Sequence, residues 1–188
     1  YYVRLSEKEK LEFNLDDAKP FFEVNRTLGE VLKVVEKIVG VRFEPMAKST
    51  TPVWHKDVLS FVAKDSRTGE LLGYVGLDLF SRKTKTGSAY AEMIRHRSVY
   101  KKDGKVQPTS ILAAIEVFKN KEGPNFLSID NLRALIHELG HVAHALKYKG
   151  KYPQYGGFFS PIDYVELPSQ LMENFIYEPK VLKQLGVH

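Results

Sequence analysis

Two histidines four residues apart, with an acid beside the first, occur in the run Ile136-His137-Glu138-Leu139-Gly140-His141-Val142. On an α-helix this spacing puts both imidazoles on one face, on successive turns, where they can grip one ion together. Cysteine is absent, so any further ligand must be histidine or carboxylate. A catalytic zinc site takes three protein ligands and leaves the fourth position to water. Glu166 is placed to be the third, because the interval after His141 holds a helix exit, a glycine loop and the start of another helix. Glu138 adjoins the first histidine, so its carboxylate can reach the water on the metal without ligating the metal itself. The chemistry expected is hydrolysis. Zinc lowers the pKa of its water towards about 7 and polarises a scissile carbonyl, while Glu138 acts as general base and then carries the proton to the leaving amine. No serine or cysteine nucleophile is required.

The competing reading is a helix whose polar face simply carries two histidines and an acid. Gly140 weighs against it, since glycine inside a helix costs about 1 kcal/mol relative to alanine and points to the close approach of another backbone or of substrate. The longer metzincin pattern is excluded, because it needs glycine and histidine at the positions that hold His144 and Lys147. His144 is read as structural or as an orienting neighbour of the ligands. Ser169, Gln170 and Glu173 follow Glu166 at helical offsets, so a continuous helix would bring them near the same face. There they could orient ligands by hydrogen bonds. Capping and surface polarity account equally well for Ser169 and Gln170.

The elements that must position these residues are legible in outline. Val31, Leu32, Val35, Ile38 and Val39 recur at helical spacing over residues 27–39, and Gly40 is a stop. Residues 58–63 and 71–80 are short, β-branched and aromatic, and the turn Asp65-Ser66-Arg67-Thr68-Gly69 between them predicts a β-hairpin. A strand is expected over residues 88–94, then a loop over residues 101–105 and an apolar segment over residues 111–118. Ser128 is the expected N-cap of the metal helix, with Leu132, Ile136, Leu139, Ala143 and Leu146 as its apolar stripe. A second helix is expected from Ser160-Pro161 to Glu178-Pro179, with Pro168 kinking it or marking its true beginning. Residues 1–20 read as charged and turn-rich.

At 188 residues, 43% hydrophobic and 12% aromatic, the chain reads as a single globular domain over residues 1–188. It lacks an apolar run approaching the roughly 20 residues of a membrane span, so a soluble protein without membrane contact is expected. The absence of cysteine fits a reducing, intracellular compartment, cytoplasm or organelle matrix. Net charge is +5 and the isoelectric point about 9.2, but basic pairs such as Arg95, Arg97 and Lys101-Lys102 are dispersed and lack interleaved aromatics. Nucleic acid is therefore not an expected partner. The first residue is Tyr1, which suggests a processed or excised piece.

With these residues in hand, the sequence resembles the thimet oligopeptidase, oligopeptidase A and peptidyl-dipeptidase family of zinc metallopeptidases. The resemblance rests on Leu135-Ile136-His137-Glu138-Leu139-Gly140-His141-Val142-Ala143-His144 and on Asp163-Tyr164-Val165-Glu166-Leu167-Pro168-Ser169-Gln170-Leu171-Met172-Glu173-Asn174. Upstream, Lys19-Pro20-Phe21-Phe22, Pro52-Val53-Trp54-His55 and Gly73-Tyr74 through Leu77-Asp78-Leu79 follow in the same order. It implies one zinc ion per chain held by His137, His141 and Glu166, with Glu138 as the catalytic carboxylate. It also implies short peptides as substrates, laid beside an edge strand near residues 87–93. The fold expected is an α+β, thermolysin-like zincin core with a small mostly antiparallel sheet and two metal-bearing helices. Leu139 stands where phenylalanine is common in the family, and Ser88 where histidine often follows glycine. Family members also carry a large helical part and a tyrosine- and glycine-rich segment that this sequence does not show. The alternatives are thus an oligopeptidase core, completed by the remaining segments of a parent peptidase, and a zinc-binding but inactive truncated module.

Overall fold

In the computed structural model, which describes residues 15–47, 52–100 and 103–187, the stripe expected over residues 27–39 belongs to a helix, α1 (Val24–Val39). It starts early because the Glu23 side chain caps it, accepting from the backbone N–H groups of Asn25 (3.1 Å) and Arg26 (2.8 Å). Gly40 ends it in the left-handed conformation at φ 66°, which a side chain would strain. Before it, Leu15–Phe21 forms a 3-10 turn. Most of the charged segment over residues 1–20, the pair Lys101-Lys102 and His188 lie outside the described residues.

The strands follow in the order β1 (Val41–Pro45), β2 (Leu59–Asp65), β3 (Leu71–Phe80) and β4 (Tyr90–Arg95). A two-residue pair follows, β5 (Ser98–Val99) with β6 (Val106–Gln107), and then β7 (Thr109–Val117). β2 and β3 form the expected antiparallel hairpin, whereas β1 carries too little alternation to be expected from sequence. Five strands make one sheet in the order β1-β2-β3-β7-β4. All neighbours are antiparallel except β3 and β7, so the sheet is mostly antiparallel with one parallel seam. The chain must therefore leave β3, pass the end of β7 and return as the edge strand β4.

Alternate residues of the strands, Phe61 and Ala63, Val75, Leu77 and Leu79, Ile111, Ala113, Ile115 and Val117, are buried in one apolar cluster with the helices. Across this face lies α2 (Ile129–Lys147), which packs on β7, β3 and β4. Ser128 is its N-cap, accepting from the Asn131 backbone at 3.0 Å while the Asn131 side chain accepts from the Ser128 backbone N–H. Its buried stripe includes Leu132, Leu135, Ile136, Leu139, Val142 and Leu146, each contributing on the order of 1.5–3 kcal/mol by leaving water. Among the described residues no helix is long and apolar enough to cross a membrane.

The expected second helix is not continuous. It divides into α3 (Ile162–Val165), α4 (Leu167–Glu173), a 3-10 turn (Asn174–Tyr177) and α5 (Pro179–Leu185). Both prolines act as starts: Pro168 and Pro179 sit in first turns, where their missing N–H breaks no helical bond. α4 lies directly on α2 at Gly140. A Cβ there would come within 2.6 Å of Ser169 Cα and 3.0 Å of the Pro168 carbonyl oxygen, so the two backbones touch and only glycine fits.

This contact generates a stability prediction. Gly140→Ala should gain about 1 kcal/mol of helix propensity and lose more by forcing the helices apart, since overpacking costs about 1–3 kcal/mol. Urea denaturation should show a lower midpoint at unchanged slope; a variant as stable as the parent would contradict the close contact.

Candidate metal centre

His137 and His141 project from one face of α2, with ring centroids 4.9 Å apart and planes at 82°. Glu166 stands at the break between α3 and α4, capping the end of one and the start of the other. Its Oε2 lies 3.2 Å from Nε2 of His137 and 3.2 Å from Nε2 of His141. The three ligand atoms fall within 4.8 Å of one another, a grouping that could hold a metal ion. Ligands at about 2.0–2.1 Å from a tetrahedral ion are about 3.3 Å apart, close to the separations here.

Hydrogen bonding around the cluster fits a cation better than its absence. Glu173 Oε1 is 2.6 Å from His137 Nδ1, and because a carboxylate can only accept, Nδ1 carries the proton. A neutral His137 ring then presents its Nε2 lone pair to Glu166 Oε2, acceptor against acceptor. An ion placed among the three atoms turns that opposition into coordination. His141 is buried, with Nδ1 unpartnered among the protein groups, and the Phe158 ring lies 5.3 Å away. Burial pushes the His141 pKa down against the opposing pull of Glu166, favouring the neutral ring that a ligand requires.

Glu138 is 5% exposed and its Oε2 has no hydrogen-bond partner. Burial raises its pKa to about 7, opposed by His137 and reinforced by the neighbouring charge of Glu166. A carboxyl poised there can take and return a proton near neutral pH. A buried acceptor left unmatched costs on the order of 1–3 kcal/mol.

The accessory residues separate into two sets. Ser169 is buried and its hydroxyl lies 2.8 Å from the Glu166 backbone oxygen and 2.9 Å from Oε2, steadying the carboxylate. Glu173 holds His137, and is itself held by Arg133 Nε at 3.1 Å. Gln170 is exposed and meets Glu166 only through its own backbone N–H. His144 lies beside Tyr164, ring centroids 6.0 Å apart, and is half-buried with its pKa lowered by that burial. Arg133 and Phe158 were not singled out from sequence. Arg133 had a signal, lying one helical turn before His137; Phe158, in a Gly-Gly-Phe-Phe loop, had none.

The whole chain, residues 1–188, matches the model of peptidase family M3. It is 29% identical over 187 residues to a probable thimet oligopeptidase of Arabidopsis thaliana, covering 99% of this chain and 26% of the relative. It is 29% identical over 190 residues to oligopeptidase A of Escherichia coli and 31% identical over 192 residues to dipeptidyl carboxypeptidase of the same organism. Each alignment covers 100% of this chain and 27% of the relative. The chain thus spans about a quarter of the length of the curated relatives it matches.

The Glu173 contact can be tested on the metal-free protein. Glu173→Ala should release His137 from its Nδ1–H tautomer, read from imidazole nitrogen shifts, and should weaken metal affinity by about 10–100-fold. Unchanged shifts and affinity would show that Glu173 does not orient the ring.

Proposed function

This chain belongs to peptidase family M3, and from that premise we propose that it carries the zinc-binding catalytic core of an oligopeptidase. His137, His141 and Glu166 hold one zinc ion per chain, and Glu138 is the catalytic carboxylate. The observation that carries this reading is the convergence of three candidate ligand atoms beside a buried carboxyl with one unpartnered oxygen, its pKa raised by burial to about 7.

When bound, the zinc ion supplies Lewis acidity, lowering the pKa of a water and polarising the scissile carbonyl. Glu138 does the proton work: it accepts a proton from the attacking water and delivers it to the departing amine. Glu173 keeps the His137 Nε2 lone pair turned to the ion, and Ser169 keeps the Glu166 carboxylate from swinging away. Substrates are short peptides lying extended along β4, the edge strand that α2 packs against. The thermolysin-like character of the core belongs to this reading, supported by the mixed sheet with the two-histidine helix across it. So does an intracellular place of action.

A second reading follows from the coverage of the relatives. A module that holds zinc but lacks oxyanion donors would bind metal and turn over little, since each missing donor can cost about 3 kcal/mol of transition-state stabilisation.

Metal analysis distinguishes these from a chain with no metal role. The native protein should contain close to one zinc per chain, lost on His137→Ala or Glu166→Ala; a metal-free native protein would end both readings. Cleavage of a quenched fluorescent peptide, inhibited by chelator, selects the oligopeptidase. Glu138→Gln should then keep its zinc and lose about 10²–10⁴-fold in kcat, and turnover unaffected by that change would refute the mechanism.

A further inference from the structure

Away from the metal centre, the described residues hold a second buried charge cluster. Asp78 is 1% exposed and lies on β3 between Leu77 and Leu79, so its side chain emerges on the sheet face opposite the helices. The Arg82 guanidinium grips it with two parallel bonds, Nη1 to Oδ1 and Nη2 to Oδ2, both 2.7 Å. Trp54 Nε1 donates to Oδ2 at 3.0 Å. Lys85, whose side chain is 3% exposed, stands 3.6 Å from Oδ1.

Lys85 also mends the sheet. Asp78 pairs with Ala114 but Phe80 pairs with Val117, so the parallel seam between β3 and β7 slips at this point. Carbonyls at such a slip lose their ladder partners. The Lys85 ammonium donates to the carbonyl oxygens of Asp78 (2.7 Å) and Ile115, one from each strand.

Both cations belong to residues 81–89, the connection that must pass the end of β7 to start β4 on its far side. The other end of β4 is also tied: Arg97 Nη1 donates to the backbone oxygens of Gly150 (3.2 Å) and Lys149 (3.5 Å), where the chain leaves α2. Between these ties β4 has one strand neighbour, β7, and that pairing slips between Met93 and Arg95. Buried ion pairs seldom contribute more stability than apolar packing of the same volume, so what this cluster adds is position.

We propose that Asp78, Arg82 and Lys85 are positioning residues for the peptide-binding edge: they fix where β4 stands relative to α2, and so where an extended substrate backbone lies against the metal centre. The proposal rests on the peptidase reading for the identity of what β4 binds. A peptide added to an edge strand gains affinity through main-chain hydrogen bonds and register through alternate side chains, and both depend on where that edge is held.

The experiment compares the zinc-loaded parent protein with Lys85→Met, which keeps the length of the stem and removes the donors, and with Arg82→Lys, which keeps the charge and removes the fork. Three quantities are read: zinc content, amide hydrogen exchange strand by strand, and KM and kcat for a quenched fluorescent short peptide. For Lys85→Met we expect unchanged zinc, amide exchange in β4 faster by about tenfold while β2 and β3 stay within about twofold, and KM raised by about tenfold or more with kcat within about threefold. Arg82→Lys should fall between the variant and the parent. Unchanged β4 exchange and KM in Lys85→Met would overturn the proposal, as would equal acceleration across the sheet at unchanged KM, the mark of a purely structural cluster. If Lys85→Met does not fold, the same readouts on Arg82→Lys decide. If the zinc-loaded parent neither binds nor cleaves the peptide, the peptidase reading fails, while the exchange comparison still decides whether the cluster positions β4.

Discussion

The candidate metal cluster depends on two helices that meet backbone to backbone. Two of its side chains come from α2 and the third from the break that opens α4, so its geometry is set by the distance between those helices. At Gly140, one residue before His141, that distance is as short as a polypeptide allows: an added Cβ would lie 2.6 Å from Ser169 Cα. Such a contact leaves little slack, and slack is what a ligand set tolerates least, since productive geometry must hold within about 0.5 Å. The segment Glu166-Leu167-Pro168-Ser169 adds its own definition. Pro168 restarts the helix without losing a hydrogen bond, and Ser169 then reaches back to both the backbone and the carboxylate of Glu166.

Two buried carboxyls show how differently this fold treats the same chemical group. Burial raises the pKa of Asp78 too, but the Arg82 fork, the Trp54 N–H and the Lys85 charge outweigh it, and the group is held below its ordinary value. Both of its oxygens accept hydrogen bonds, and it stays ionised. Glu138 has the burial without the partners, so its pKa rises to about 7 and one oxygen stays unmatched. The first arrangement fixes structure, whereas the second keeps a proton exchangeable. Local imbalance of the second kind is what catalytic sites in general retain.

Sequence reasoning reached the parts of this fold governed by short-range rules. The stripe of α1 with its Gly40 stop, the β2–β3 hairpin, and α2 with its Ser128 cap all follow from spacing and capping chemistry. The His137, Glu138, His141 and Glu166 grouping was legible because helix geometry fixes the first three and only the fourth needs a return of the chain. What escaped was set by tertiary contact. The parallel seam of β3 and β7 requires β4 to cross to the far edge, which periodicity cannot announce. The division of the last helix was half visible in Pro168, but its continuation as a 3-10 turn before Pro179 was not. Gly140 was recognised as needing a neighbour, although the neighbour, α4, could not be named. Gln170 shows the opposite limit, for its offset from Glu166 suits a contact and its side chain faces water.

The demands of hydrolysis divide unevenly over these contacts. The Glu138 carboxyl is desolvated by its burial on α2, so its raised proton affinity is built locally. The Glu166 side chain is 42% exposed, and its chain neighbours Tyr164 and Leu167 are exposed as well. Ligand geometry and proton affinity are therefore properties of residues within a few turns of one another, whereas exclusion of water from the open side of the cluster is not. A chain spanning a quarter of its relatives' length can carry the first two in full, because helix packing and burial create them. Electrostatic stabilisation of a developing charge strengthens as solvent is removed, so under the peptidase reading the rate at such a centre depends on how far its exposed side is screened from water as well as on its ligands.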